Sequence, residues 1–174
     1  MEDFSGISWL RDEDADLRSM LKALEEARAA AEQGEVPVGA IIVHPEHGLV
    51  ARARNAKETL QDPTAHAEIL AIGQAAEALG SWRLENCTLF STLEPCPMCA
   101  GAILQSRIER VVFGASDSRW GAVDTKMNLF EPGLFNHDVV WQGGVLEGEA
   151  AGLLKDFFRE IREGQSRYDG KEAD

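Results

Sequence analysis

Two short segments far apart in the chain have to meet in space, and that requirement limits the possible folds more than anything else in the sequence. They are His66-Ala67-Glu68 and Pro95-Cys96-Pro97-Met98-Cys99. Two cysteines three positions apart and one imidazole supply three of the four ligands that a tetrahedral zinc ion takes. A catalytic zinc leaves its fourth position to water and lowers the pKa of that water to about 7. Glu68, two residues beyond the histidine, is placed to handle the proton.

A Cys-x-x-Cys pair alone also serves as a redox couple or as half of a structural zinc site. Three features favour catalysis. The run Met98 to Ser106 is helix-forming, so both thiols fall at a helix N-terminus, where the positive dipole end favours thiolate. His66 likewise opens a predicted helix, Ala65 to Leu79. A closed structural site would need a fourth protein ligand, and Cys87 is the one spare thiol. The apolar run Thr88 to Leu93 between Cys87 and Cys96 reads as a strand, which puts Cys87 roughly 15–20 Å from the metal and in the core.

With 174 residues and 44% apolar content, the chain is long enough for one globular domain with a real core. It has no apolar run near the ~20 residues needed to cross a bilayer, and its N-terminus is acidic where a secretory signal would be basic. Both features, and the lack of a thiol pair free to form a disulfide, lead to the expectation of a cytoplasmic protein. The net charge of −13 is awkward for a nucleic-acid partner, because phosphate contacts need Lys and Arg. The acids concentrate at the ends, however: residues 1–35 carry ten acids against four bases. Near the expected site, Arg52, Arg54, Lys57, Arg107, Arg110, Arg119 and Lys126 form a basic cluster or an ordinary solvated surface.

In chain order, residues 1–14 read as a loose acidic tail, and Leu17, Met20, Leu21, Leu24, Ala27 and Ala31 mark a helix ending near Gly34. Val38 to Val43 and Leu49 to Arg54 read as a hairpin, and Lys57 to Thr64 as a loop. The His66 helix, the Thr88 strand and the cysteine helix follow, then a strand Arg110 to Gly114. Alternation of this kind predicts an α/β sheet with parallel pairing and a site at the carboxyl ends of its strands. Residues 115–135 are loop-like, with a short helix open to Thr125–Phe130. Val139 to Trp141 is a last strand, and a final amphipathic helix gives way to a frayed end from Gly164 to Asp174.

The chain resembles the bacterial tRNA-specific adenosine deaminases, which convert the wobble adenosine of a tRNA anticodon to inosine. The resemblance is carried by Glu35-Val36-Pro37-Val38-Gly39-Ala40, by Asn55, by Asp62 to Glu68, by Thr92 to Ala102, by Ser106-Arg107-Ile108 and by Val111 to Ala115, within residues 16–163. The His-x-Glu and Pro-Cys-x-x-Cys spacing is a known signature of zinc-dependent nucleobase deaminases in general, so it does not choose the substrate. The Val-Pro-Val-Gly and Ser-Arg-Ile segments are more particular to the tRNA enzymes.

The resemblance implies a cytidine deaminase-like fold, three layers α/β/α around a mixed five-stranded sheet. It also implies a homodimer with one zinc per subunit, held by His66, Cys96 and Cys99, with Glu68 shuttling protons and the tRNA anticodon stem-loop as partner. It assigns Asn55, Pro37 and Ala67 to the substrate pocket and Asp117 to the neighbouring anticodon nucleotide. Taken alone, Asn55 reads as a turn residue and Asp117 as a helix cap. Ser116 and Trp120 stand where related enzymes often carry basic or small residues. Phosphate contacts are expected from Arg119 and Lys126. Two other readings stay open: a deaminase of a free base such as guanine or cytosine, and a zinc-stabilised binding module with four protein ligands.

Overall fold

The computed structural model describes residues 13–169, the side chains of residues 165–169 excepted. Its centre is one five-stranded sheet in the order β2-β1-β3-β4-β5. The hairpin strands β1 (Gly39–His44) and β2 (Gly48–Arg54) pair antiparallel, and β1 also pairs antiparallel with β3 (Thr88–Leu93). From β3 onward the pairing is parallel, through β4 (Arg110–Ala115) to the short β5 (Val140–Gln142). The sheet is therefore mixed. β1 comes between β2 and β3, so the crossover between these two passes over an intervening strand.

The helices are α1 (Glu13–Glu32), α2 (Lys57–Leu60), α3 (Ala67–Leu79), α4 (Pro97–Gln105) and α5 (Glu147–Asp169). Strand alternation divides the core between the two faces of the sheet. Ile42, Leu89, Val111 and Phe113 pack with Ala71 and Ile103 of α3 and α4. Ile41, Phe90 and Val112 face the other way, against Met20 and Leu24 of α1 and Ala150 of α5. Gly39 lets α1 lie directly on β1: an added Cβ would collide with the Ala23 carbonyl and come within 2.6 Å of the Ala27 nitrogen. Two clusters on opposite faces make the three layers.

Four expectations from the sequence need correction. Glu13 and Asp14 belong to α1, not to the tail, because acids in a first turn suit the helix dipole; residues 1–12 lie outside the described residues. Lys57–Leu60 is a helical turn inside the expected loop, closed by Gln61 in the left-handed region (φ 50°). The short helix left open at Thr125–Phe130 does not form: the Thr125 N–H is drawn to a buried side chain described below, and the Lys126 and Met127 N–H groups both turn back to the Gly121 carbonyl. The last helix does not end at Gly164 but continues to Asp169; residues 170–174 lie outside the described residues.

Candidate active site

Both metal-signature segments are helix starts. His66 is the N-cap of α3 and Cys96 the N-cap of α4, each with extended backbone (ψ 150° and 171°) and no side-chain capping bond. An N-cap is normally a short polar residue that folds its own side chain onto the first turn. Here the imidazole and the thiol are left to point outward together. Pro97 at the first helical position of α4 has a preset φ and lacks only an N–H that would have no partner there.

His66 Nδ1 lies 3.7 Å from Cys96 Sγ and 3.5 Å from Cys99 Sγ, and the three ligand atoms lie within 4.8 Å of one another. Two ligands at about 2.0 and 2.3 Å from a zinc ion, separated by a tetrahedral angle, stand roughly 3.5–3.6 Å apart. The observed spacing therefore fits a zinc ion, and the donor set, one nitrogen and two sulfurs, suits it. Among the described residues no fourth His, Cys, Asp or Glu joins the group. Contact with Cys99 holds the Cys96 thiol at about 4, whereas contact with Cys96, then burial, pushes Cys99 far up. Contact with the Cys96 sulfur raises the His66 imidazole.

Glu68 is 3% exposed, and its Oε1 accepts a hydrogen bond from the Ser91 hydroxyl at 3.2 Å. Burial pushes its carboxyl above the usual range. Glu68, His66 and Cys96 line a cavity of about 620 Å³, within the span of small-ligand sites. The thiol of Cys87, outside the site, is fully buried in the core and pushed up to about 11 by burial, with Glu109 adding to it.

The remaining predicted residues divide. Asn55 (6% exposed) and Asp117 line the cavity. Pro37 is buried between Val36 and Val38, and it is these two neighbours that line the cavity. Ala67 is wholly buried in the core cluster under α3. Asp117 also caps its own turn, its Oδ1 accepting the N–H groups of Arg119 (2.8 Å) and Trp120 (3.2 Å).

The basic cluster does not survive intact. Arg52 is bound to Glu25 (2.9 Å) and Glu26 (2.8 Å), and Arg54 to Glu26 (3.1 Å). Arg110 is 3% exposed and paired with Asp16. These three arginines are matched to acids of α1, so part of the N-terminal acid excess is internal bookkeeping. Lys57 lines the cavity, and Arg119 and Lys126 are exposed.

Reading the sequence missed Glu94 and Glu35. Glu94 is 1% exposed, and its carboxylate accepts the N–H groups of Asp117, Val123, Asp124 and Thr125 and the Thr125 hydroxyl. Glu35, also 1% exposed, accepts the Thr59 N–H at 2.7 Å and so holds α2, which carries Lys57. An acid directly after an apolar strand, as Glu94 stands after β3, is the available signal for the first. No comparable signal marks Glu35.

A family model for MafB19-like deaminases matches residues 14–162. The tRNA-specific adenosine deaminase of Bacillus subtilis is 53% identical over 143 residues, 82% of this chain and 88% of that protein. The chain belongs to the tRNA-specific adenosine deaminase family. Its relative of the same name from Aquifex aeolicus is 49% identical, across 80% of this chain and 91% of that one. Among solved structures, a tRNA A34 deaminase from work on A-to-I editing at the wobble position superposes with a TM-score of 0.75 at 44% identity, covering 79% of this deaminase and 99% of that chain. The guanine deaminase of Nitrosomonas europaea reaches a TM-score of 0.72 at 26% identity, covering 81% and 83%. The fold is shared across substrates, while sequence identity is higher to the tRNA enzymes. No described helix is long and apolar enough to cross a membrane.

Proposed function

We propose that this deaminase hydrolyses the wobble adenosine of a tRNA anticodon to inosine, using one zinc ion held by His66, Cys96 and Cys99. One observation carries the reading: three ligand atoms lie within 4.8 Å of one another, and two of the residues that bear them, His66 and Cys96, line a cavity against which a buried carboxylate, Glu68, is also set. When bound, the ion supplies Lewis acidity that makes water nucleophilic at neutral pH.

In this reading the water oxygen bonds to the purine carbon that bears the amino group. Glu68 takes the water's proton and delivers it to the adjacent ring nitrogen. Left as a carboxylate, it takes the remaining proton of the added oxygen and gives it to the amino nitrogen as the carbon–nitrogen bond breaks and the carbonyl forms, so adenosine and water become inosine and ammonia. Ser91 holds one carboxylate oxygen of Glu68, which fixes the direction of the other. Asn55 and Asp117 both line the cavity, and in this reading Asn55 hydrogen-bonds the target nucleoside and Asp117 meets the next nucleotide. A single-stranded anticodon loop can splay a base into such a cavity without breaking pairs.

The reading includes a single deaminase domain, a cytoplasmic location and a homodimer. Half-exposed Phe135 beside Gly101, Leu104 and Leu129 offers an apolar surface for a second copy to cover, and a light-scattering mass tests it. For the activity itself, anticodon stem-loop RNA is incubated with the zinc-loaded enzyme, beside free guanine, cytosine and adenosine, and products are followed by mass spectrometry. Inosine in the RNA is the expected result. Turnover of a free base with none of the RNA would replace this reading with a free-base deaminase.

A further inference from the structure

Trp120 is the most exposed of the large apolar side chains among the described residues, at 65%, yet it lines the same cavity as His66, Glu68 and Cys96. The other two described tryptophans have ring partners: the Arg83 guanidinium lies 4.9 Å from the Trp82 ring centroid, and Trp141 stacks on Phe113 at 5.9 Å. Among the described residues no ring or cation lies against the Trp120 indole in this way.

Its backbone, in contrast, is held firmly. The Trp120 N–H bonds Asp117 Oδ1, the Gly121 N–H bonds the Asp117 carbonyl at 2.9 Å, and Glu94 fixes the chain on both sides, at Asp117 and at Val123 to Thr125. A rigid support that presents a bare aromatic face to water loses little entropy when something stacks on it.

We infer that Trp120 is a stacking platform for the nucleobase next to the target adenosine. The argument rests on the proposed RNA substrate. The reacting base must lie at the buried end of the cavity, against His66 and Glu68, so a residue as exposed as Trp120 meets the flanking nucleotide instead. Single-stranded RNA is recognised by splaying its bases onto aromatic side chains. Stacking needs no positive charge, which suits a chain of net charge −13 whose Arg52, Arg54 and Arg110 are already paired. It makes Trp120 a residue that reads the neighbour of the reacting base, whatever that neighbour is.

The test uses the zinc-loaded enzyme and a synthetic anticodon stem-loop, intact or with an abasic nucleotide 5′ or 3′ of the target. Trp120→Ala should raise KM about tenfold with kcat within about twofold, and Trp120→Phe should restore KM. The penalty of Trp120→Ala should disappear on one of the two abasic RNAs. An unchanged KM in Trp120→Ala overturns the assignment, as does a penalty that persists on both abasic substrates. So does a change in light-scattering mass, which would make the indole a subunit contact. If the wild-type enzyme leaves the intact RNA unmodified, the RNA reading itself fails, a result distinct from RNA turnover that ignores Trp120.

Discussion

Glu94 Oε2 accepts the backbone N–H of Asp117 at 2.9 Å, and this bond ties the segment that carries Cys96 to the cavity wall. Glu94 is two residues before Cys96, and the same carboxylate gathers Val123 (3.2 Å), Asp124 (2.8 Å) and Thr125 (2.9 Å). Burial opposes its ionisation, but the Thr125 hydroxyl and these N–H groups outweigh it and hold the carboxyl below the usual range. Gly121 completes the fit, since an added Cβ would strike the Glu94 carboxylate and approach the Asp117 carbonyl to 2.6 Å. Glu94→Gln should lower kcat/KM on RNA chiefly through KM, with zinc still bound at one per chain. Gly121→Ala should do the same and cost about 1–3 kcal/mol in denaturant unfolding. Unaltered KM in both variants would show that the segment keeps its shape without this anchor.

Glu68 is the group asked to move protons. Glu68→Gln keeps the size and the Ser91 contact but cannot accept a proton, so deamination should fall by at least two to four orders of magnitude, the usual worth of a general acid–base. Metal analysis should find zinc retained, because the three ligands remain. Loss of zinc along with activity would move Glu68 into a structural role.

How much of this was legible beforehand follows from the range of each interaction. The His66, Cys96 and Cys99 cluster was readable because residues able to hold a metal obey fixed spacings, and the central strands because, buried on both faces, they leave short continuous apolar runs. β1 between β2 and β3 was not, since a crossover that skips a strand leaves no local mark. Arg52, Arg54 and Arg110 read as either a basic cluster or a solvated surface, and their pairing was not legible because their acidic partners are 26, 28 and 94 residues away in sequence. Glu94 was hidden for a related reason: its partners lie in a segment 23 to 31 residues on that has no periodicity of its own.

The pairing of Arg52 sorts the basic residues by experiment. Arg119 and Lys126 are exposed, and each phosphate contact contributes about 0.7–0.9 to the slope of log affinity against log salt. Arg119→Gln and Lys126→Gln should each reduce that slope by about 1 in an anticodon stem-loop titration. Arg52→Gln should leave it unchanged, its charge being matched by Glu25 and Glu26. A reversed order would place the RNA over the α1 and β2 side.

Asp16 and Arg110 join α1 to β4 through two bonds, 2.8 and 2.6 Å, with both residues at least 95% buried. Removing one member of a buried pair leaves the other charge without compensation, at a cost of about 3–5 kcal/mol. Asp16→Ala should therefore destabilise by that amount in chemical denaturation. Replacing both residues with apolar ones of similar volume should recover most of the loss. If the double variant is no better than the single one, packing and not charge is what the pair supplies.

Glu35 gives the stability a defined dependence on pH. Burial disfavours its charge, but the Thr59 N–H and hydroxyl, with the backbones of Glu58 and Lys57, more than offset this and hold the carboxyl below its ordinary 4.5. With the folded value depressed, the native state binds fewer protons than the unfolded chain in the window below 4.5, so stability rises with pH there. The contribution is complete above the unfolded value and lost as pH falls through the folded one. Glu35→Gln removes the charge at every pH, so at pH 7 it should be about 1.5–3 kcal/mol less stable, the worth of a hydrogen bond to a charged group. As pH falls through the folded value, which lies below 4.5, the wild-type carboxyl becomes neutral too, and the two unfolding curves should draw together. Because Thr59 and Lys57 share α2, the same variant should loosen Lys57 at the cavity and raise KM for RNA at neutral pH. A stability gap that stays constant down to acid pH would mean that shape alone, without the charge, holds α2 in place.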